Sequence, residues 1–182
     1  MSRSPFFFIE RPDIHTNKYE LQHPIVWNWD HTAQITADLF PYNGHHDLFS
    51  IVEDRATENS FPTMKGIHTG LPKDCCDEIR KEFEECSYDT EWDGKTHHFT
   101  PTARWFTYAD LYIYCLEHPE VPDWEAMDAA YFESEEDKPP KKIMKPTPLK
   151  SLKDRIDAFM EVMDVWDWEN DYSQIRIVYW IF

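Results

Sequence analysis

The carboxyl-terminal end of the chain constrains the fold most. Residues 175–182 read Ile-Arg-Ile-Val-Tyr-Trp-Ile-Phe, and such β-branched and aromatic runs are typical of strands. Apolar side chains stand at odd and even positions alike, so at least one face of this strand must be buried. Phe6–Ile9, between Pro5 and Pro12, is a second run of this kind. We expect these two strands to lie side by side in one sheet. Ile25–Trp29 is a weaker third candidate.

Between these strands the apolar spacing is that of amphipathic helices. It predicts helices in four places: His46–Val52; after Pro72, through Cys75, Ile79, Phe83 and Cys86; after an N-cap at Thr107, with Asp110 at the third helical position; and through Leu149, Leu152, Ile156, Phe159 and Met163. Residues 133–148 hold four prolines and change from acidic to basic, which predicts an extended surface loop. The sequence therefore predicts one α+β domain over residues 1–182. Its small, mostly antiparallel sheet includes both terminal strands and packs against several short helices.

The chain is strongly acidic, with 35 Asp and Glu against 18 Lys and Arg and a net charge of −17 over 182 residues. The acids are clustered: residues 74–93 contain nine carboxylates and two cations, and residues 105–137 contain no Lys or Arg. Clustered like charges repel one another and cost stability in the compact state. Two interpretations stay open. The charge maintains solubility, or it forms a surface for a basic partner that otherwise binds nucleic-acid phosphates.

Several of the eight tryptophans are flanked by acids, as in Glu91-Trp92-Asp93 and Asp123-Trp124-Glu125. Rings set among carboxylates suit an interface that takes up Arg and Lys through cation–π and ion-pair contacts. The alternative is that these rings only seal small helices. The candidate partner-binding residues are Asp77, Glu78, Glu82, Glu84, Glu85, Glu117, Glu120, Asp123, Trp124 and Glu125.

Catalytic and metal motifs are weak in this sequence. There is no glycine-rich phosphate loop and no recognisable nucleophile motif, so we expect no catalysis, no cofactor and no metal. One alternative remains, in which His45, His46, Asp47, His97 and His98 converge on a metal or a nucleotide. The adjacent Cys75 and Cys76 suit neither a disulfide framework nor a Cys-x-x-Cys zinc site, so the four cysteines are expected to be reduced thiols.

Three stretches resemble a widespread family of small tailed-phage proteins. Residues 43–55 look like that family's "GRNYDLFAILADVR" stretch. Gly70–Asp74, followed by Asp93-Gly94, His98 and Trp105–Leu111, is similar to its "GLPEDVS … DGHSHSWLTLKEL". Ile175–Trp180 resembles its terminal "RIVFWF". The match spans most of the chain and implies an origin as a phage accessory gene rather than a particular activity.

The chain departs from that family at its beginning. Family members usually open with Gly-Cys-Asp-Ile-His, where this chain has Arg3-Ser-Pro-Phe-Phe-Phe-Ile-Glu10. The Asp and the His are missing, and the trailing Glu10 alone remains. If the family holds a metal or catalytic site there, we expect this protein to have lost it.

Phage origin and a clustered negative charge together suggest an inhibitor of a host defence system. Cas effectors hold nucleic acid in channels lined with Lys and Arg, which a folded polyanion can occupy. We therefore expect an anti-CRISPR protein that binds a Cas effector in the host cytoplasm and blocks DNA binding or cleavage, without itself binding nucleic acid or membrane. Two alternatives stay open: an anti-defence protein that binds or degrades a nucleotide signal through the His and aromatic clusters, and an acidic regulatory or structural phage protein.

Overall fold

The structure, a computed structural model, describes residues 5–13, 15–22, 51, 61–133, 142–162 and 171–181. The strands are β1 (Pro5–Pro12), β2 (Tyr19–Gln22), β3 (His68–Thr69), β4 (Tyr88–Trp92), β5 (Lys95–Phe99), β6 (Arg104–Thr107), β7 (Glu120–Pro122), β8 (Met144–Pro146) and β9 (Arg176–Ile181). The helices are α1 (Asp77–Glu85), α2 (Tyr108–Glu117), α3 (Trp124–Glu133) and α4 (Pro148–Val162). None of the helices in the described ranges is long and apolar enough to cross a membrane.

Five strands form the main sheet, in the order β2-β1-β9-β6-β3, and every neighbouring pair is antiparallel. The terminal strand β9 lies at the centre and pairs with β1 from Pro5↔Ile181 to Glu10↔Arg176. Its other edge pairs with β6. The α+β fold, with both terminal strands side by side in one antiparallel sheet, is therefore confirmed. The pairs β4-β5 and β7-β8 form two separate two-stranded sheets.

Both faces of the sheet are buried, because alternate residues of β9 point to opposite sides. Ile177 and Tyr179 belong to a core that includes the inner faces of α2 and α4. Val178 and Trp180 belong to a second core with Phe8, under α1. The sheet is thus the middle layer, with α1 on one side and α2 and α4 on the other. This arrangement explains why β9 is apolar at odd and even positions.

The predicted helical patterns locate three of the four described helices, with small differences at their ends. Thr107 is the N-cap of α2 and forms a reciprocal capping box with Asp110. Leu149, Leu152 and Ile156 are buried on α4 as expected. Helix α1 begins at Asp77 with Cys76 as N-cap, so Pro72 lies ahead of the first turn rather than in it. Of the helix expected at His46–Val52, the described part is Ile51, which is helical and fully buried.

The proline-rich segment was predicted less well, and the weak third strand stays a prediction. Met144–Pro146, expected in an extended loop, forms β8 and pairs with β7, while residues 134–141 lie outside the described residues. Ile25–Trp29 also lies outside them. Tyr19–Gln22, which carries no strong strand pattern, is the edge strand β2. Short edge strands are placed by their partners more than by their own composition.

Candidate functional site

Helix α1 presents a row of carboxylates to solvent. Its inner face is apolar: Ile79 is fully buried, and the Phe83 ring meets Trp180 edge-on at 5.2 Å between centroids. The five acids predicted here, Asp77, Glu78, Glu82, Glu84 and Glu85, are all exposed. The two cations of the helix offset them little. Lys81 pairs with Glu85 at 3.7 Å, and Arg80 donates to the carbonyl oxygens of Lys73 and Cys75.

The β4–β5 hairpin follows α1 directly and extends the negative charge. Asp93 and Gly94 form its turn with φ of 53° and 77°, the positive values that a two-residue type I′ turn requires. Asp89, Glu91 and Asp93 are exposed, as is Trp92, at 68%. We define the acidic surface as the exposed carboxylates of α1 and of this hairpin: Asp77, Glu78, Glu82, Glu84, Glu85, Asp89, Glu91 and Asp93.

The two histidines of the hairpin do not converge. His98 Nδ1 lies 2.7 Å from Asp89 Oδ1, and His97 Nε2 lies 3.1 Å from Asp93 Oδ1. Because neighbours on a strand point to opposite faces, each ring meets its own carboxylate. The other members of the proposed histidine cluster, His45, His46 and Asp47, lie outside the described residues. Within the described ranges His97 and His98 belong to no group of three metal-ligating residues.

The second set of predicted acids lies on the other side of the sheet. Glu117, Glu120 and Glu125 are exposed on α2, β7 and α3. Asp123 is occupied within the fold: its Oδ1 accepts from the Ala126 N–H at 3.2 Å and lies 3.6 Å from Lys145 Nζ. Trp124 is half-buried against the core that contains Ile177 and Tyr179. The predicted partner-binding residues therefore form two separate groups, and only the α1 group is followed in the chain by the hairpin acids.

Sequence reasoning missed a buried arginine centre beneath α1. Arg176 of β9 lies 2.7 Å from both a Glu10 and an Asp74 carboxylate oxygen. Arg176 and Glu10 are buried, whereas the Asp74 side chain is 68% exposed. The guanidinium lies over the Tyr19 ring, 3.2 Å from Cζ to the ring centroid, and Cζ is 5.6 Å from the centroid of the Trp105 ring.

The environment of this centre shifts the pKa values of its two carboxyls in opposite directions. Burial raises the pKa of Glu10, although the Cys76 N–H and the Arg176 charge partly offset it. The hydrogen bond from Arg176 lowers the pKa of Asp74. The two ion pairs connect β9 to β1 and to the turn before α1, although Glu10 Oε1 and Arg176 Nε and Nη2 are buried without a hydrogen bond of good geometry.

The sequence did carry a signal for this centre. Asp74, Trp105 and Arg176 belong to the stretches that resemble the tailed-phage proteins, and Glu10 is the one residue that remains where the chain departs from that family. They lie far apart in the chain: strand pairing brings Glu10 and Trp105 beside β9, and Asp74 comes from the turn before α1. Of those stretches, residues 43–55 fall outside the described residues except for Ile51.

Comparison with known proteins adds no relative. No protein-family model, curated protein or solved structure matches the chain. The resemblance to the tailed-phage proteins accordingly stays an expectation from the sequence.

Proposed function

We propose that this protein is a phage-encoded inhibitor of a host defence system that binds a basic, nucleic-acid-binding partner through the acidic surface. A Cas effector is the first candidate partner, which would make the protein an anti-CRISPR protein. One observation carries the proposal: eight exposed carboxylates stand on one helix and the hairpin that follows it, with Arg80, Lys81 and Lys95 as the cations in that segment.

Electrostatics gives such a surface a specific use. A dense field of one sign attracts an oppositely charged partner over long range and raises the association rate. The channel of a Cas effector is lined with Lys and Arg that contact nucleic-acid backbones, so exposed carboxylates can take the place of phosphates there. Trp92 adds a ring at the tip of the hairpin that can stack on an arginine.

The position of the charge supports this function over solubility alone. Exposed charges that serve only solubility need no common location. The acids of α1 and of the hairpin, in contrast, lie on two consecutive elements of the chain. The nucleotide alternative has less support in the described residues, because His97 and His98 each pair with a hairpin carboxylate.

The decisive experiment uses bacteria with a defined CRISPR–Cas system that targets a plasmid. Expression of the protein should restore transformation by that plasmid, and the purified chain should retain the effector on a column until competing DNA releases it. The control is a variant with Glu82→Lys, Glu84→Lys and Glu85→Lys, used in the same way as bait on the column. It should neither restore transformation nor retain the effector. If bait and control capture the same proteins from host lysates and DNA displaces none of them, the acidic surface is not the binding site.

A further inference from the structure

Three side chains that can bind a metal meet inside the molecule. Glu10 comes from β1, and Cys75 and Cys76 come from the turn before α1. One carboxylate oxygen and the two Sγ atoms lie within 4.8 Å of one another. All three residues are buried: Glu10 is fully buried, and each cysteine is 6% exposed. In the part of the chain that the structure describes, no other group of His, Cys, Asp and Glu comes together in this way.

We propose that Glu10, Cys75 and Cys76 form a site for a soft divalent metal ion, with Zn²⁺ as the expected occupant. Thiolates select zinc over magnesium and calcium. Zinc accepts Cys sulfur at ~2.3 Å and carboxylate oxygen at ~2.0–2.2 Å in a tetrahedral arrangement. Three protein ligands leave the fourth position to a water molecule. Sequence spacing conceals such a site, because one ligand comes from a strand 65 residues before the first cysteine.

The charges around the site are compatible with a bound divalent ion. Glu10 and Asp74 are opposed by Arg176, so the centre carries about one net negative charge while both thiols are protonated. Zinc binding forms two Zn–S bonds and releases two thiol protons to solvent, so the two new thiolate charges balance the charge of the ion. The net charge of the buried centre therefore stays the same, and Arg176 can keep its ion pairs.

Glu10 also has free coordination capacity. A carboxylate offers about four lone-pair positions. Arg176 Nη2 lies 2.7 Å from Oε1, and the Cys76 N–H donates to Oε2 at 3.0 Å. These two contacts fix the orientation of the carboxylate and leave lone pairs for a metal. The site does not depend on the proposed partner-binding function, since its ligands are buried beneath α1 and the acidic surface is exposed.

Metal titration of the reduced, full-length chain tests the proposal. Cd²⁺ should produce a thiolate-to-metal charge-transfer absorbance that saturates at one equivalent, and Zn²⁺ should compete for the same site. Cys75→Ser and Cys76→Ser should each weaken Zn²⁺ binding at least about tenfold, since loss of supporting groups alone costs that much. Cys86→Ser and Cys115→Ser, which remove thiols outside the cluster, should bind like the unchanged chain.

A measurement on the unchanged chain covers the case in which a serine variant does not fold. X-ray absorption of the Zn²⁺-loaded protein should show two sulfur ligands at ~2.3 Å, with lighter atoms in the remaining positions. Absence of one-equivalent saturation, a charge-transfer band that depends on Cys86 or Cys115, or a first shell without two sulfurs would each overturn the proposal.

Discussion

At the residue scale, Arg176 is a buried charge with apolar neighbours in the chain, and its side chain connects separate segments of the fold. It stands in β9 between Ile175 and Ile177, at 5% exposure. A buried guanidinium without counter-charges would cost several kcal/mol. Glu10 from β1 and Asp74 from the turn before α1 supply those charges, and the Tyr19 ring covers one face of the guanidinium. Three separate segments, β1, β2 and the turn before α1, are thereby fixed to one side chain of β9.

Replacing Arg176 by Met should destabilise the fold strongly. The substitution keeps the volume of the side-chain stem but leaves Glu10 buried without its cation, and breaking a buried pair from one side costs ~3–5 kcal/mol. Asp74→Asn is the matched control. Asp74 is 68% exposed, and an Asn oxygen at the same place can still accept from Arg176 Nη1, so the loss should be ~0–1 kcal/mol. Urea unfolding measures both free energies of unfolding, and equal losses in the two variants would contradict a buried role for the Glu10 pair.

Gly66→Ala should also destabilise the protein, for a local reason. Gly66 has φ of +86°, a conformation that costs any residue with a Cβ. A Cβ built there would meet the Asp110 carboxylate, which accepts the Thr107 N–H at 2.9 Å in the capping box of α2. We expect a loss of ~1–3 kcal/mol from the strained backbone and the weakened cap. Gly70→Ala is the control, because φ there is +90° but no atom lies within 4 Å. Equal losses would show that the cap is not involved.

At the scale of elements, patterns confined to one segment were predictable from the sequence. The amphipathic faces of α1 and α4, the capping box at Thr107 and the strand β9 each follow from residues close together in the chain. Short strands such as β3 and β8 hold two or three residues each. Their conformation depends on a distant partner rather than on their own composition.

The same distinction applies to the candidate sites. Exposure of Glu82, Glu84 and Glu85 followed from the apolar stripe of α1, which assigns the inner face of the helix. The engagement of Asp123 with Lys145 and the grouping of Glu10 with Cys75 and Cys76 did not follow. Those contacts require knowledge of which strands pair, and strand pairing is a long-range property.

Charge reversal on α1 should abolish partner binding while sparing the fold. Glu82, Glu84 and Glu85 lie in the last turns of a helix that has no basic residue at its end. Lysines there favour the helix dipole, and the lost Lys81–Glu85 pair is exposed and weak. At a basic partner each contacting reversal should cost a few kcal/mol of binding free energy. The triple variant is compared with the unchanged chain by binding affinity at matched thermal stability.

The control for that experiment is Glu117→Lys, Glu120→Lys and Glu125→Lys, which changes the net charge equally on the other side of the sheet. The α1 triple should lose far more affinity than this control. If the control loses as much, the partner responds to net charge rather than to the acidic surface. If Asn substitutions at His97 and His98 abolish activity and neither triple variant changes it, the nucleotide alternative is the better explanation.

At the scale of the whole molecule, the net charge of −17 should control how fast the partner associates. Exposed charges are screened over ~8 Å at physiological ionic strength, and steering mainly raises the association rate. We therefore expect added salt to slow association steeply and to change dissociation little, as measured by surface plasmon resonance. An association rate that is indifferent to ionic strength would contradict electrostatic recognition.

Because β9 is the central strand of the sheet and contributes to both cores, the fold should not survive its removal. Ending the chain after Gln174 removes five buried apolar side chains, Ile175, Ile177, Val178, Tyr179 and Trp180, each worth ~1.5–3 kcal/mol, against a typical total stability of ~5–15 kcal/mol. It also leaves β1 and β6 without their shared partner. Trp180→Ala is the graded control and should cost ~3–5 kcal/mol while unfolding stays cooperative. Circular dichroism during urea unfolding distinguishes the two, and a cooperative transition in the truncated chain would mean that β9 does not hold the layers together.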